Sequence, residues 1–212
     1  MSQNLVAGGR GRRTWHKASK RYYDPEGIFQ IIHRSVWPYR TRVDFYTLRD
    51  LALASLLYLT SGRINEVLRV VKHQFREDKE DPDFLVCHNF WVSKRKAGAE
   101  HPTPDIPLPR VGRLAPFTKI VEDYLVTLGA EEKLFKFSRA RAHQITRHIT
   151  SDPENMQPGK WNHWFRAQSL SYQVNLLRST ILVASDRGVE NPQTLAHYYT
   201  GQWREHKDEI KK

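Results

Sequence analysis

The sequence predicts a mainly α fold carrying a small β-hairpin or antiparallel sheet, an α+β arrangement, and three observations point there. Apolar residues recur at helical spacing up to Val71 and again from Pro116 onward. Between Phe75 and Leu108 that period fades, and β-formers and prolines take over. At 212 residues the chain can bury a real core as one domain, with or without a short appendage. We divide it into a basic arm over 1–22, a folded domain over 23–200 and a charged tail over 201–212.

In the arm, Gly8-Gly9-Arg10-Gly11-Arg12-Arg13 is followed by Lys17, Lys20 and Arg21, with too few apolar residues to pack. Such a segment is expected to be disordered and able to lie along a DNA backbone. Asp24-Pro25-Glu26 reads as an N-cap, a proline at the first helical position and an acid in the first turn. The helix it opens carries Ile28, Phe29, Ile31, Ile32 and Val36, and Pro38 stops it at Trp37. A second helix is expected from about Asp44 through Leu48, Leu51, Ala52, Leu56 and Leu59, ending at Gly62. A short helix over Arg63–Val71 follows, with Ile64, Val67, Leu68 and Val71 on one face and Arg63 at its start. Helix dipoles favour acids at that end, so an arginine there suggests an anion site.

Phe84–Val92 reads as a strand, Lys94-Arg95-Lys96-Ala97-Gly98 as a basic turn and Asp105–Pro109 as a returning edge strand that tolerates proline. A further helix starts at Pro116, runs through Phe117, Ile120, Val121, Tyr124, Leu125 and Leu128, and closes at Gly129. The next, near Ser138 to Ile149, turns Ile145 and Ile149 inward and leaves Arg139, Arg141, His143 and Arg147 for DNA or solvent. Ser151–Gly159 is a loop, and a long helix is expected from Asn162 to about Ser185. A turn at Asp186-Arg187-Gly188 precedes a short helix opened by Asn191-Pro192 and carrying Tyr198 and Tyr199.

Charge narrows the function. The 34 Lys+Arg against 23 Asp+Glu leave a net +11, a field that draws polyanions and makes nucleic acid the expected partner. One cysteine, Cys87, allows no internal disulfide and no metal-binding cysteine pair. The longest apolar run, Leu51 to Leu59, falls far short of the roughly twenty residues that span a bilayer, so no membrane partner is expected. Basic residues near the start are followed by no apolar block, and the expected address is cytoplasmic, or a host cytoplasm if the chain is encoded by a virus or plasmid.

His163 and Arg166 lie three positions apart, close enough on one helix face to touch a single phosphate that a following tyrosine could attack. Taken in order, Arg63, a hairpin lysine (Lys94 or Lys96), His163, Arg166 and Tyr199 or Tyr198 resemble the catalytic domain of tyrosine recombinases, the phage-integrase family. Thr60-Ser61-Gly62-Arg63-Ile64-Asn65-Glu66 corresponds to that family's Thr-Gly-x-Arg-x-x-Glu box, and His163-Trp164-Phe165-Arg166 to its His-x-x-Arg box. The correspondence covers roughly residues 45–200.

The resemblance implies the tyrosine-recombinase catalytic-domain fold and a site-specific recombinase, integrase- or transposase-like, that cuts and rejoins DNA through a 3′-phosphotyrosine. Arg63 and Arg166 would hold the non-bridging oxygens of the scissile phosphate. The hairpin lysine would protonate the leaving 5′-oxygen, and His163 would assist. Glu66 would orient an active-site cation. Tyr199, followed by Thr200, is the preferred nucleophile, with Tyr198 the alternative; on a helix the two point about 100° apart. No cofactor and no metal are implied. Arg10, Arg12, Arg13, Lys17, Arg95, Arg139, Arg141, His143 and Arg147 are the expected DNA contacts. Family members work as tetramers on two duplexes, so a homo-oligomer on double-stranded DNA, monomeric or dimeric off it, is implied, with the 201–212 tail and its Trp203 as an exchanged segment.

Two departures stand out. No histidine occurs in Asp186–Asn191, where the family places a second one or a tryptophan ahead of the tyrosine, and Ala167-Gln168-Ser169 differs from the family's usual continuation. A full DNA-clamping domain does not fit in the roughly forty-five residues before the apolar helix that leads into the first box, which suggests a minimal recombinase, as in archaeal or viral mobile elements, or a piece of a longer chain. The alternatives are a catalytically inactive DNA-binding relative and a type IB topoisomerase-like enzyme. No paired-carboxylate cluster supports a metal-dependent nuclease.

Overall fold

Asp24 opens the first helix as its position predicts. Its Oδ1 accepts a hydrogen bond from the Gly27 N–H at 2.8 Å, and α1 runs Pro25–Val36 with the proline first. The structure, a computed structural model, describes residues 23–36, 45–93, 103–150, 164–166, 168–170, 172–173 and 211. The second helix, α2, spans Phe45–Thr60. Every residue from Leu51 to Thr60 is buried. A helix enclosed on all sides is central, and α2 packs against α1, α3 (Ile64–Val67), α4 (Ala115–Val126) and α5 (Arg139–Ile149).

The region that lost its helical period forms a three-stranded antiparallel sheet in the order β1 (Phe75–Glu77), β2 (Phe84–Cys87), β3 (Ile106–Pro109). The register pairs Phe75 with Cys87, and Cys87 in turn with Ile106. β2 is buried along its whole length, which explains its unbroken apolar run. β3 is an edge strand, where Pro107 and Pro109 cost no second ladder. Arg110 ties this sheet to α4: its Nε donates to Glu122 at 2.7 Å and its Nη1 to Glu77 at 2.5 Å and to the Pro82 carbonyl at 3.0 Å.

Three boundaries differ from expectation. The sheet has a strand, β1, ahead of the expected pair. β2 stops at Cys87 instead of running to Val92, because Asn89 adopts φ 52° and its N–H is held by Asp105 at 3.0 Å. The helix expected over Arg63–Val71 is a single turn, α3. Val70 and Val71 turn away to pair with the segment after α4, where Leu134 N–H donates to the Val70 carbonyl at 3.1 Å and Val71 bridges Lys133. Two adjacent β-branched residues prefer that extended geometry to another helical turn.

At the other helices the expected signals act. Ser138 caps α5, accepting from the Arg141 N–H at 3.3 Å, and Ile145 and Ile149 are buried as expected. Residues 164–166, 168–170 and 172–173 are helical. They bury Phe165 in the main core and set Trp164 against Tyr23, ring centres 6.1 Å apart. Gln168 accepts from the Tyr23 N–H at 3.0 Å, joining this helical stretch to the start of α1. Among the described residues, no helix is long and apolar enough to cross a membrane.

Candidate active site

The end of α2 is built to turn sharply. Thr60 Oγ1 donates to the Leu56 carbonyl at 2.7 Å and accepts from the Gly62 N–H at 3.0 Å, so one hydroxyl closes the helix and starts the turn. Ser61 sits in the left-handed region at φ 51°. Glycine at 62 follows from crowding: a Cβ there would lie 2.7 Å from Thr60 Oγ1, 2.9 Å from Phe90 Cζ and 3.0 Å from Val67 Cγ2. The turn delivers Arg63 to the start of α3.

Arg63 is anchored there by Glu66, whose side chain is only 1 % exposed while that of Arg63 keeps 23 %. Glu66 Oε2 accepts from the Arg63 backbone N–H at 2.6 Å and Oε1 from the Arg63 Nη1 at 2.9 Å. The first bond is the carboxylate half of a capping box; an arginine side chain has no acceptor for the other half. Ser93 adds its N–H at 2.8 Å and its hydroxyl at 2.6 Å, both to Oε1. The Ser93 carbonyl in turn accepts from Arg63 Nη1 at 3.2 Å. A buried carboxylate with four donors is a fixed counter-charge, so the guanidinium beside it is held in place with part of its surface in solvent.

Arg166, 103 positions after Arg63, reaches the same turn. Its Nη1 donates a short hydrogen bond to the Ser61 carbonyl, and the residue is 8 % exposed. One and two helical turns after Arg166, Ser169 and Gln173 face the same place. Ser61 Oγ and Ser169 Oγ lie 2.7 Å apart, and the Gln173 amide donates to both, at 3.2 Å and 3.0 Å. The turn between Thr60 and Arg63 therefore carries one arginine on its chain and grips a second through a carbonyl.

Of the residues expected in the site, the fold brings Arg63, Glu66 and Arg166 to this one turn. Arg139, Arg141 and Arg147 lie exposed on α5, and His143 is half-buried there. Lys94, Arg95, Lys96, His163, Tyr198 and Tyr199 lie outside the described residues, as do Arg10, Arg12, Arg13, Lys17, the stretch 186–191 and Trp203. Ser93, the residue before the expected lysine turn in sequence, lies at the Arg63–Glu66 pair. Sequence reasoning missed Ser61, Ser93, Ser169 and Gln173. Ser61 was visible as a serine where the box carries glycine, and Ser169 and Gln173 share the helical face of Arg166; no local pattern marks Ser93.

A central buried helix with a three-stranded antiparallel sheet at its side is a fold that this chain shares with solved site-specific recombinases. The chain is similar to the XerH site-specific recombinase in its pre-cleavage complex with difH substrate, with a TM-score of 0.58 over 90 % of this chain at 14 % identity. It is equally similar to the same recombinase in a post-cleavage complex with palindromic difH, at 0.58 over 91 % and 12 % identity. It spans about half of those chains, 53 % and 54 %. No family model matches the sequence, and no curated protein matches it.

Proposed function

We propose that the chain is a site-specific DNA recombinase that breaks and rejoins DNA through a 3′-phosphotyrosine. The observation that carries this reading is the shared turn: Arg63 and Arg166, about a hundred residues apart in sequence, are both anchored at one four-residue stretch, Arg63 as its last residue and Arg166 through the Ser61 carbonyl. Two fixed guanidiniums are what a phosphodiester needs as negative charge grows on its non-bridging oxygens. The solved recombinases with this fold are bound to DNA before and after cleavage, which supports the same substrate class here.

In the proposed reaction the Tyr199 oxygen, with Tyr198 as the alternative, attacks phosphorus. The phenol gives up its proton to solvent with His163 assisting, the P–O5′ bond breaks, and the leaving 5′-oxygen takes a proton from Lys94 or Lys96. Rejoining reverses the step: a 5′-hydroxyl attacks the phosphotyrosine and releases the phenol. The bond energy stays in the covalent link, so no nucleotide is consumed. Glu66 keeps Arg63 aimed, and Arg139, Arg141, His143 and Arg147 contact the DNA backbone. A homo-oligomer on two duplexes completes the exchange.

Trapping on a nicked suicide substrate tests this. Wild type forms a covalent protein–DNA adduct that Tyr199→Phe abolishes; an adduct surviving in both the Tyr199→Phe and Tyr198→Phe proteins would sink the assignment. The absence of histidine from Asp186–Asn191 favours a second reading, a DNA-binding relative without cleavage. That protein would bind DNA in a salt-sensitive way and leave every cognate plasmid uncut. Relaxation of plasmids without sequence preference would point instead to topoisomerase-like action.

A further inference from the structure

We propose that Ser61 is a positioning residue that sets the alignment of the two arginines through its own strained backbone, an inference that rests on the reading of the chain as a DNA-cleaving enzyme. Ser61 is fully buried and held at φ 51°, a region that L-residues with a side chain enter at a cost and keep only when their surroundings over-determine it. Here the surroundings are specific. Its hydroxyl meets Ser169 Oγ at 2.7 Å and the Gln173 amide at 3.2 Å, and Gln173 closes the triangle onto Ser169 at 3.0 Å. Ser169 is 2 % exposed and Gln173 8 %, so water does not substitute for any side of it.

The same residue's carbonyl accepts from Arg166 Nη1. Rotating Ser61 out of the left-handed region would swing that carbonyl away from Arg166 and re-aim the chain that reaches Arg63 two residues later. The hydroxyl triangle thus holds φ, φ holds the carbonyl, and the carbonyl holds Arg166. The box this turn resembles carries glycine here, which takes positive φ without help. Serine needs partners, and both partners, Ser169 and Gln173, lie on the helical stretch that carries Arg166, so the three side chains form one device that couples the two arginine-bearing segments.

Two variants separate this device from plain core filling. Ser61→Gly keeps the left-handed turn but drops the hydroxyl, and Ser169→Ala leaves the turn residue intact. The first readout needs no chemistry: the Arg166 Nε–H signal in ¹H–¹⁵N spectra, assigned with Arg166→Lys. In both variants it is expected to move and to exchange with water about tenfold faster or more, because the guanidinium is no longer held. The second is single-turnover cleavage at saturating DNA, expected to fall by about ten- to a hundredfold while the DNA dissociation constant stays within about twofold of wild type. An unchanged Arg166 signal in both variants overturns the proposal, as does a cleavage loss matched by an equal loss of DNA affinity. If wild type forms no adduct on any substrate, the recombinase reading falls, while the Arg166 signal still decides whether Ser61 positions that arginine.

Discussion

Glu66 carries more of the site's order than either arginine, because its two oxygens take four donors from two segments that lie 27 positions apart. Removing it leaves the Arg63 N–H and the Ser93 N–H and hydroxyl without their acceptor in a half-buried place. Glu66→Ala is therefore expected to cost about 3 kcal/mol and Glu66→Gln about 1–2 kcal/mol, read from urea unfolding. A cost for Glu66→Ala within experimental error of zero would show that the pair is replaceable by solvent. Glu66 was legible in sequence as an acid one helical turn beyond Arg63; its grip on Ser93 was not, because no local spacing encodes a contact between a helix and a segment 27 residues later. Elsewhere, burial pushes the Tyr124 phenol up to about 12 while its hydroxyl donates to the Leu134 carbonyl at 2.5 Å. The folded state favours the neutral phenol, so this contribution to stability is complete below the ordinary tyrosine value of about 10 and is lost as the pH rises through about 12. Alkaline titration followed at the phenolate absorbance should show one late-titrating group that Tyr124→Phe removes. Burial likewise pushes the Cys87 thiol well above its ordinary range, so it should react with thiol reagents only as fast as the protein opens.

At the level of elements, the long helices were legible because signals at both ends agreed with the stripe between them. Asp24-Pro25 and Ser138 act as caps, and the apolar run of α2 is the central helix. What failed to show was what tertiary pairing decides. Val70 and Val71 keep a helical pattern yet pair with the Lys133–Leu134 segment, and Phe75–Glu77, only three residues long, becomes a strand because β2 lies beside it. The candidate site followed the same division. Arg63 was singled out by its place at a helix start and Arg166 by its spacing to His163, whereas the polar triangle that joins them depends on a turn and a helix meeting. The turn itself yields a direct prediction. Gly62 has no room for a methyl group against Thr60, Phe90 and Val67, so Gly62→Ala is expected to cost about 1–3 kcal/mol by overpacking, seen as a lower urea midpoint with unchanged m-value. A neutral result would mean that the turn shifts freely, which would also weaken the argument that Ser61 is held by its surroundings.

Across the described residues, several cations are matched to acids locally. Arg110 is committed to Glu77 and Glu122, and Arg63 to Glu66. At the far end, Lys211 lies on its own chain's β1–β2 turn, 3.0 Å from Asp81 and 2.6 Å from Asp83, above the Phe84 ring. Within the tail expected to pass between copies, Lys211 is thus engaged by acids of its own chain, and moving that residue to a neighbour would break these ion pairs. The first 22 residues are different: they hold Arg10, Arg12, Arg13, Lys17, Lys20 and Arg21 and no acid at all. If those six lie on phosphates in the complex, each releases about 0.9 of a counterion from duplex DNA, so the slope of log affinity against log salt should fall by up to about 5 when residues 1–22 are deleted. Electrostatic contacts of this kind are indifferent to sequence, so the deletion should weaken cognate and unrelated duplexes alike and leave their ratio nearly unchanged. Fluorescence anisotropy across a salt series measures both quantities. An unchanged slope would place the arm off the DNA and assign the charge-driven affinity to the domain itself, with α5 and its Arg139, Arg141 and Arg147 the next segment to neutralise.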